Sequence, residues 1–382
     1  MLKDATAIVG IGQTSFGKGI PDSELSLACQ AISLALDDAG IAPGEVDGLA
    51  SFTMEPNREV DVARNVGLGD ITYFSQVGYG GGAGCGVVLQ AAMAVATGQC
   101  RVAVGWRARK RASKASRPWA QVPQRLSDHW QWSRPWGLLR PVDEVAMLTR
   151  RYIHEFGATR DHLANVALAF RKHANRNPAA TMADKPMTRE DYFAARMISE
   201  PLCLFDNCLE TDGALAVVIV AADRAVDLPH RPVYVHTGAQ GLPPQHQTMI
   251  NYFNDDPLRG PSWAAAGQLW RNADFGPADV KVAQIYDAFS PLIPLSLEGY
   301  GFCERGGGAA FTEDGALEWP NGRLPTNTAG GGMSEAYVHG FNLVLEGVRQ
   351  MRGTSTAQVD GADTCLVTSG EGVPTSALLL RN

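Results

Sequence analysis

The chain has little of what marks a secreted, metal-binding or nucleic-acid-binding protein. Its seven cysteines, at positions 29, 85, 100, 203, 208, 303 and 365, are odd in number and include no Cys-x-x-Cys. That excludes a disulfide framework and a zinc ribbon, and leaves most of them as small core residues. The eight histidines are scattered, with no His-x-x-x-His pair on a helical face, so no metal is expected. A net charge of -7 argues against a general nucleic-acid binder, which needs a basic surface to neutralise phosphates. No apolar run approaches the roughly 20 residues needed to span a bilayer. Met1-Leu-Lys-Asp leads straight into a strand-like segment rather than a signal peptide. No membrane association and a cytoplasmic location are therefore expected.

What is present is an ordinary globular composition, 45% hydrophobic and 19% charged over 382 residues, a length that one core seldom organises and that predicts two packed halves. One basic stretch, Arg107, Arg109, Lys110, Arg111, Lys114 and Arg117, reads either as a solvated loop or as a site for an acidic partner or the phosphates of a nucleotide-tailed cofactor.

The pattern alternates between strand and helix. Thr6-Ala-Ile-Val-Gly-Ile-Gly reads as a strand, Ser23 to Ala39 as a helix closed by Gly40, and Gly48 to Met54 as a second strand. Gly80-Gly-Gly-Ala-Gly-Cys-Gly then opens an almost wholly apolar helix, which must be buried on most of its surface. From about Lys110 to Pro201 the composition turns Trp-rich, Arg-rich and helical, with helices at Glu144 to Phe156, Arg160 to Asn175 and Arg189 to Met197. This reads as an insertion forming a lid or pocket wall. The α/β pattern resumes at Asp212, with a strand from Val282 to Asp287, a helix from Ser290 to Glu298, a second Gly-Gly-Gly loop at Gly330, a helix from Phe341 to Met351 and a last strand at Thr364. Two units with the same order of glycine loop, buried helix, glycine stop and strand point to an internal duplication. The division expected is a first half, 1–109 with 202–225, an insertion, 110–201, and a second half, 226–382. Both glycine loops would lie at helix N-termini, where amides favour developing negative charge.

On these motifs the whole chain resembles the thiolase superfamily. Cys85 stands on the first glycine loop, where thiolases carry their nucleophilic cysteine. Ala283-Gln-Ile-Tyr-Asp-Ala-Phe is similar to the segment that holds a catalytic histidine or asparagine, with Tyr286 in its place. Gly331-Gly-Met-Ser-Glu-Ala-Tyr-Val-His-Gly resembles the Gly-His-Pro loop, with Tyr337 instead of its histidine and His339 two residues late. Val367-Thr-Ser-Gly-Glu-Gly-Val resembles the loop of the second catalytic cysteine, but has no cysteine. The resemblance implies an α/β thiolase fold, two pseudo-symmetric halves in a layered αβαβα core.

Thiolytic condensation needs an acyl-accepting thiolate, a histidine that activates it and a second cysteine, and only Cys85 remains. Two tyrosines on one pocket suit a retro-aldol cleavage beside a thioester. Tyr-Asp-x-Phe-Ser-Pro and Gly-Gly-x-x-x-Glu-Ala-Tyr-x-His-Gly are similar to motifs of the thiolase-superfamily aldolases that remove the last three-carbon piece of a steroid side chain, releasing propionyl-CoA and a 17-ketosteroid. That resemblance implies Tyr286 as the base on the 17-hydroxyl and Tyr337 as the acid that protonates the enolate. A free tyrosine has a pKa near 10, so holding a phenolate at neutral pH costs about 4 kcal/mol unless it is offset or the proton moves in concert with bond breaking. Asp287 and His339 are read as orienting and hydrogen-bonded loop residues, and Cys85 as a packing residue. Amides of either glycine loop are the candidates for holding the thioester oxygen. Arg107, Arg109, Gly331 and Gly332 are the candidates for contacting coenzyme A, which enters as part of the substrate, with no other cofactor required. The resemblance further implies a homodimer and a small OB-fold, zinc-ribbon partner completing a heterotetramer. The alternatives are an acyltransferase using Cys85 and a noncatalytic lipid or acyl-CoA carrier.

Overall fold

The computed structural model describes residues 2–111, 130–245 and 251–382; Lys114, Arg117 and Trp119 lie outside them. Eleven strands are described: β1 (Thr6–Gln13), β2 (Gly48–Phe52), β3 (Tyr73–Val77), β4 (Val102–Arg109), β5 (Met197–Ser199), β6 (Leu202–Cys203), β7 (Gly213–Ala221), β8 (Val233–Gly241), β9 (Val282–Gln284), β10 (Thr364–Ser369) and β11 (Thr375–Arg381). Apart from the small β5–β6 pair they form a nine-stranded sheet in the order β3-β2-β4-β7-β1-β8-β11-β10-β9.

The duplication is visible in that order. From the centre outward, β1, β7, β4 and β2 run antiparallel, antiparallel and then parallel to one another, and β8, β11, β10 and β9 repeat the scheme. The halves meet where β1 pairs antiparallel with β8 through Ala7–Tyr234 and Ile8–Val233. Helix Glu24–Ala39 packs on β1, β7 and β4 of the first half, and helix Pro261–Asn272 on β8 and β11 of the second. Between them helix Gly84–Ala96 touches strands of both halves, β2, β4 and β7 on one side and β8, β10 and β11 on the other. That makes it a middle layer. Ten of its residues are buried, which is why its sequence carries almost no polar face.

Local chemistry explains the element ends. Ser23 caps the first helix by accepting from the Ser26 amide, and Gly40 stops it at φ 65°. A Cβ at Gly10 would lie 2.1 Å from the Ala35 carbonyl oxygen, so β1 and this helix touch backbone to backbone. The strand expected from Val282 through Asp287 ends at Gln284. The next two amides leave the ladder for side chains, Ile285 N–H donating to Asn327 Oδ1 (2.7 Å) and Tyr286 N–H to Thr368 Oγ1 (3.0 Å). That departure aims Tyr286 out of the sheet. In the insertion, the helix expected from Arg189 to Met197 ends at Ala194, because Met197–Ser199 pairs with β6. The helix expected to begin at Glu144 begins at Pro141, and Glu144 is fully buried within it. Among the described residues no helix is long and apolar enough to cross a membrane.

Candidate active site

Tyr286 and Tyr337 meet at the end of a cavity of about 360 Å³ whose walls include Met54, Trp130, Pro141, Phe289, Leu292 and Val373, a size and polarity suited to a small apolar ligand. Tyr286 follows β9. Tyr337 follows the short helix Gly331–Ser334 and is fixed by its amide, which donates to Thr211 Oγ1 at 3.1 Å. Their phenol oxygens hydrogen-bond directly, with ring centroids 6.1 Å apart. Two glycines make this approach possible. A Cβ at Gly81 would sit 1.9 Å from the Tyr286 hydroxyl, and one at Gly340 would sit 2.7 Å from the same ring.

Burial pushes both phenols well above the usual tyrosine range, and their mutual proximity raises Tyr286 further. The Arg111 guanidinium, 5.5 Å from the Tyr337 ring centroid, opposes the rise in both. Asp287 does not face the reacting groups. Its carboxylate accepts from the amides of Gly332 (2.7 Å) and Met333 (3.1 Å), latching the loop that carries Tyr337, and burial raises its pKa to about 7.

His339 lines the same cavity. It is buried, and guanidinium groups face both ring nitrogens: Arg107 Nε and Nη2 at 3.2 and 3.0 Å from Nδ1, and Arg111 Nη2 against Nε2. Burial and the surrounding arginines hold its pKa well below the usual imidazole range, so the ring is neutral. Arg107 is completely buried, pairs with Glu55 at 2.9 Å, and has its own pKa lowered to about 10 by desolvation.

The expected coenzyme A contacts are therefore placed differently from the sequence reading. Arg107 has no surface to offer a phosphate and serves the interior instead. The Gly332 amide is committed to Asp287, and a Cβ at Gly331 would lie 2.4 Å from the same carboxylate, so both glycines are inside the latch. Arg109 is half-buried and lies 3.8 Å from Glu24. Cys85 lies in the first turn of the middle helix, as its motif implies, but its thiol points to the Val367 carbonyl (3.4 Å), away from the cavity. Burial pushes that thiol up to about 12.

Three residues of the site were not placed there by the sequence reading. Cys208 lines the cavity beside the tyrosines and is brought there by its amide, which donates to the Ala288 carbonyl at 2.9 Å. Arg111 reaches His339 from within the basic stretch, its backbone held by Asp212 Oδ1 at 2.6 Å. Glu55 follows a strand end. Among the described residues no three His, Cys, Asp or Glu side chains gather as a metal centre requires.

Residues 246–380 match the family model described as "Thiolase C-terminal domain-like". Over its whole length the chain is 47% identical to the full length of the 17-hydroxy-3-oxo-4-pregnene-20-carboxyl-CoA lyase of Mycobacterium tuberculosis (strain ATCC 25618 / H37Rv). It is 45% identical, again over its whole length, to 98% of the steroid side-chain-cleaving aldolase of Thermomonospora curvata. The solved structure of an Ltp2-ChsH2(DUF35) aldolase superposes with a TM-score of 0.95 at 45% identity, covering all of this chain and 98% of that one.

Proposed function

The chain belongs to the steroid side-chain-cleaving aldolases of the thiolase superfamily, and on that premise we propose that it splits a β-hydroxyacyl-CoA, 17-hydroxy-3-oxo-pregn-4-ene-20-carboxyl-CoA, into a 17-ketosteroid of the androstenedione type and propionyl-CoA. The observation that carries this reading is the direct hydrogen bond between the Tyr286 and Tyr337 phenols at the end of an apolar cavity.

In the cleavage, the bond between the hydroxyl-bearing carbon and the α-carbon of the thioester breaks. The hydroxyl proton leaves, a ketone forms, and the bonding pair passes into a thioester enolate that is protonated at its α-carbon. The hydrogen-bonded pair gives these protons a path. Tyr286 accepts the substrate's hydroxyl proton as its own proton passes to Tyr337, and Tyr337 delivers its proton to the enolate carbon. Both tyrosines end neutral, and no free phenolate forms in a site that opposes one. Arg111 beside Tyr337 favours the stage at which that phenol gives up its proton. The apolar walls suit steroid rings, whose burial contributes about 25 cal/mol per Å².

The acyltransferase alternative has Cys85 against it, since the thiol is buried, bonded to the Val367 carbonyl and turned from the cavity. Coenzyme A enters as part of the substrate, with Arg109 at its approach, and no further cofactor is needed. The chain works in the cytoplasm as a homodimer, with a small OB-fold, zinc-ribbon partner of the DUF35 type completing a heterotetramer. Its parts are 1–109 with 202–225, the insertion 110–201, and 226–382. Incubating the chain, co-expressed with such a partner, with the 17-hydroxy steroid CoA thioester tests the function. Mass spectrometry should find propionyl-CoA and the 17-ketone in equal amounts; an intact thioester, or free coenzyme A without ketone, would refute the reading.

A further inference from the structure

Tyr286 and Tyr337 sit on separate loops, and one short segment, Asp206 to Thr211, is bonded to both. Asn207 bridges antiparallel to Phe289. The Ser290 amide donates to the Asp206 carbonyl at 3.0 Å and the Cys208 amide to that of Ala288 at 2.9 Å, so the segment runs alongside the chain that leads away from Tyr286. One residue on, it changes partner. The Leu209 amide donates to the Gly332 carbonyl at 3.0 Å, and Thr211 Oγ1 accepts from the Tyr337 amide at 3.1 Å. The phenols that meet at the end of the cavity are thus carried by two loops tied to one strap.

Both ends of the strap are anchored. At its start the fully buried Asp206 carboxylate accepts from the Ser290 hydroxyl at 2.5 Å, the Tyr192 phenol at 2.7 Å and the Cys203 amide at 2.7 Å. Tyr192 lies in the insertion, on the helix Arg189–Ala194, so the insertion helps to hold the strap. Just beyond its other end Asp212 accepts from the amides of Gly19 (2.7 Å), Ile20 (3.1 Å) and Arg111 (2.6 Å), immediately before β7 enters the sheet. With both ends fixed, the contacts between them cannot slide without giving up buried hydrogen bonds, which are costly to leave unmade. Thr211 has the most direct hold on the chemistry. It is fully buried, and its hydroxyl is the acceptor for the amide of Tyr337 itself.

We propose that the strap from Asp206 to Thr211 keeps the two phenols in bonding register during the reaction, with Thr211 the positioning residue for Tyr337 and Asp206, through Ser290, the positioning residue for the chain that carries Tyr286. The proposal rests on the relay between the two tyrosines and adds what holds that relay together. Neither Thr211 nor Asp206 lines the cavity, so both act through the tyrosines. An O–H···O bond forms only when its oxygens lie within about 2.5–3.0 Å. A displacement of either loop by about 1 Å therefore parts the phenols and interrupts the proton's passage, while the apolar walls that receive the substrate stay in place.

The test measures kcat and KM for cleavage of the 17-hydroxy steroid CoA thioester, together with urea unfolding, on the full chain co-expressed with its DUF35-type partner. Thr211→Val keeps the shape of the side chain and removes the acceptor; Thr211→Ser restores it. The valine variant should lower kcat about 10²-fold with little change in KM, and the serine variant should recover most of that loss. In a Tyr337→Phe background the valine should cost no further rate, because the group it positions is gone, while it still lowers the urea midpoint. Tyr192→Phe, at the anchored start of the strap and away from the cavity, should show a smaller loss of the same kind, and it decides the matter if Thr211→Val fails to fold. Wild-type kcat in Thr211→Val or, should that variant not fold, in Tyr192→Phe would overturn the strap and leave the relay standing. So would equal losses for valine and serine, or a valine loss that multiplies with that of Tyr337→Phe, since Thr211 would then serve stability alone. A wild-type rate in Tyr337→Phe itself overturns the relay and the strap with it.

Discussion

The Tyr286 phenol is hydrogen-bonded to that of Tyr337 across 51 residues of chain. One hydroxyl must donate to the other, so on the proposed reading the two phenols act as one relay, with Tyr286 taking the substrate proton and Tyr337 passing one to the enolate.

This coupling requires close backbone approach at Gly81. A Cβ there would lie 1.9 Å from the Tyr286 oxygen and 2.4 Å from Cζ, so something must shift. Gly81→Ala should leave a folded protein, by circular dichroism and melting, whose cleavage rate is lost. A variant with near-wild-type turnover would show that Tyr286 does not need its observed position.

Cys85 offers the opposite case. Its thiol donates to the Val367 carbonyl within the core, and a serine hydroxyl can do the same. Cys85→Ser should cleave at a rate close to that of the wild type in the same assay, whereas an acyltransferase would lose its nucleophile and its activity.

Asp287 acts through the loop it latches. In Asp287→Asn the side chain can no longer accept from both Gly332 and Met333, and an amide left without its acceptor costs about 1–3 kcal/mol. Urea denaturation should show that loss. Turnover should fall with it, because the latched turn sets the position of Tyr337.

Buried carboxyls give the fold an unusual pH dependence. Burial raises Asp287 from 3.8 to about 7, and Glu144, Glu335 and Glu371 from 4.5 to about 8. Each folded-state pKa is raised, so across this window the folded chain binds more protons than the unfolded one. The stability they contribute is fully present below the unfolded values and is lost as pH rises through the folded ones. Glu371, which accepts from the Ser262 amide and hydroxyl, is a single-group check. Urea midpoints between about pH 5 and pH 8 should fall more steeply for the wild type than for Glu371→Gln. Parallel curves would mean that Glu371 is ionised in the folded state.

The parts of this architecture that were legible in the sequence are those with local chemistry. Ser23 and Gly40 bound a helix by side-chain cap and left-handed stop, and the apolar run after Gly84 marked a helix buried on most of its surface. Both tyrosines were legible because each sits beside its own loop motif. What was not legible depends on partners far along the chain. Arg107 looks like any surface cation until Glu55 and His339, 232 residues away, enclose it. Arg111 meets His339 across 228 residues, and Cys208 is brought to the cavity by its pairing with Ala288, 80 residues further along the chain. No period or motif encodes such meetings. The end of β9 at Gln284 was hidden for the same reason, since the acceptors that draw Ile285 and Tyr286 from the ladder are Asn327 and Thr368.

The central claim is that the two phenols move one proton between them during carbon–carbon cleavage. Its most direct test is the single-turnover rate of 17-ketosteroid release from the 17-hydroxy steroid CoA thioester by the wild type, Tyr286→Phe, Tyr337→Phe and the double variant. A shared relay predicts that each single variant loses about 10²- to 10⁴-fold and that the double variant is no slower than the worse single. A near-wild-type rate in either single variant, or losses that multiply in the double, would contradict it.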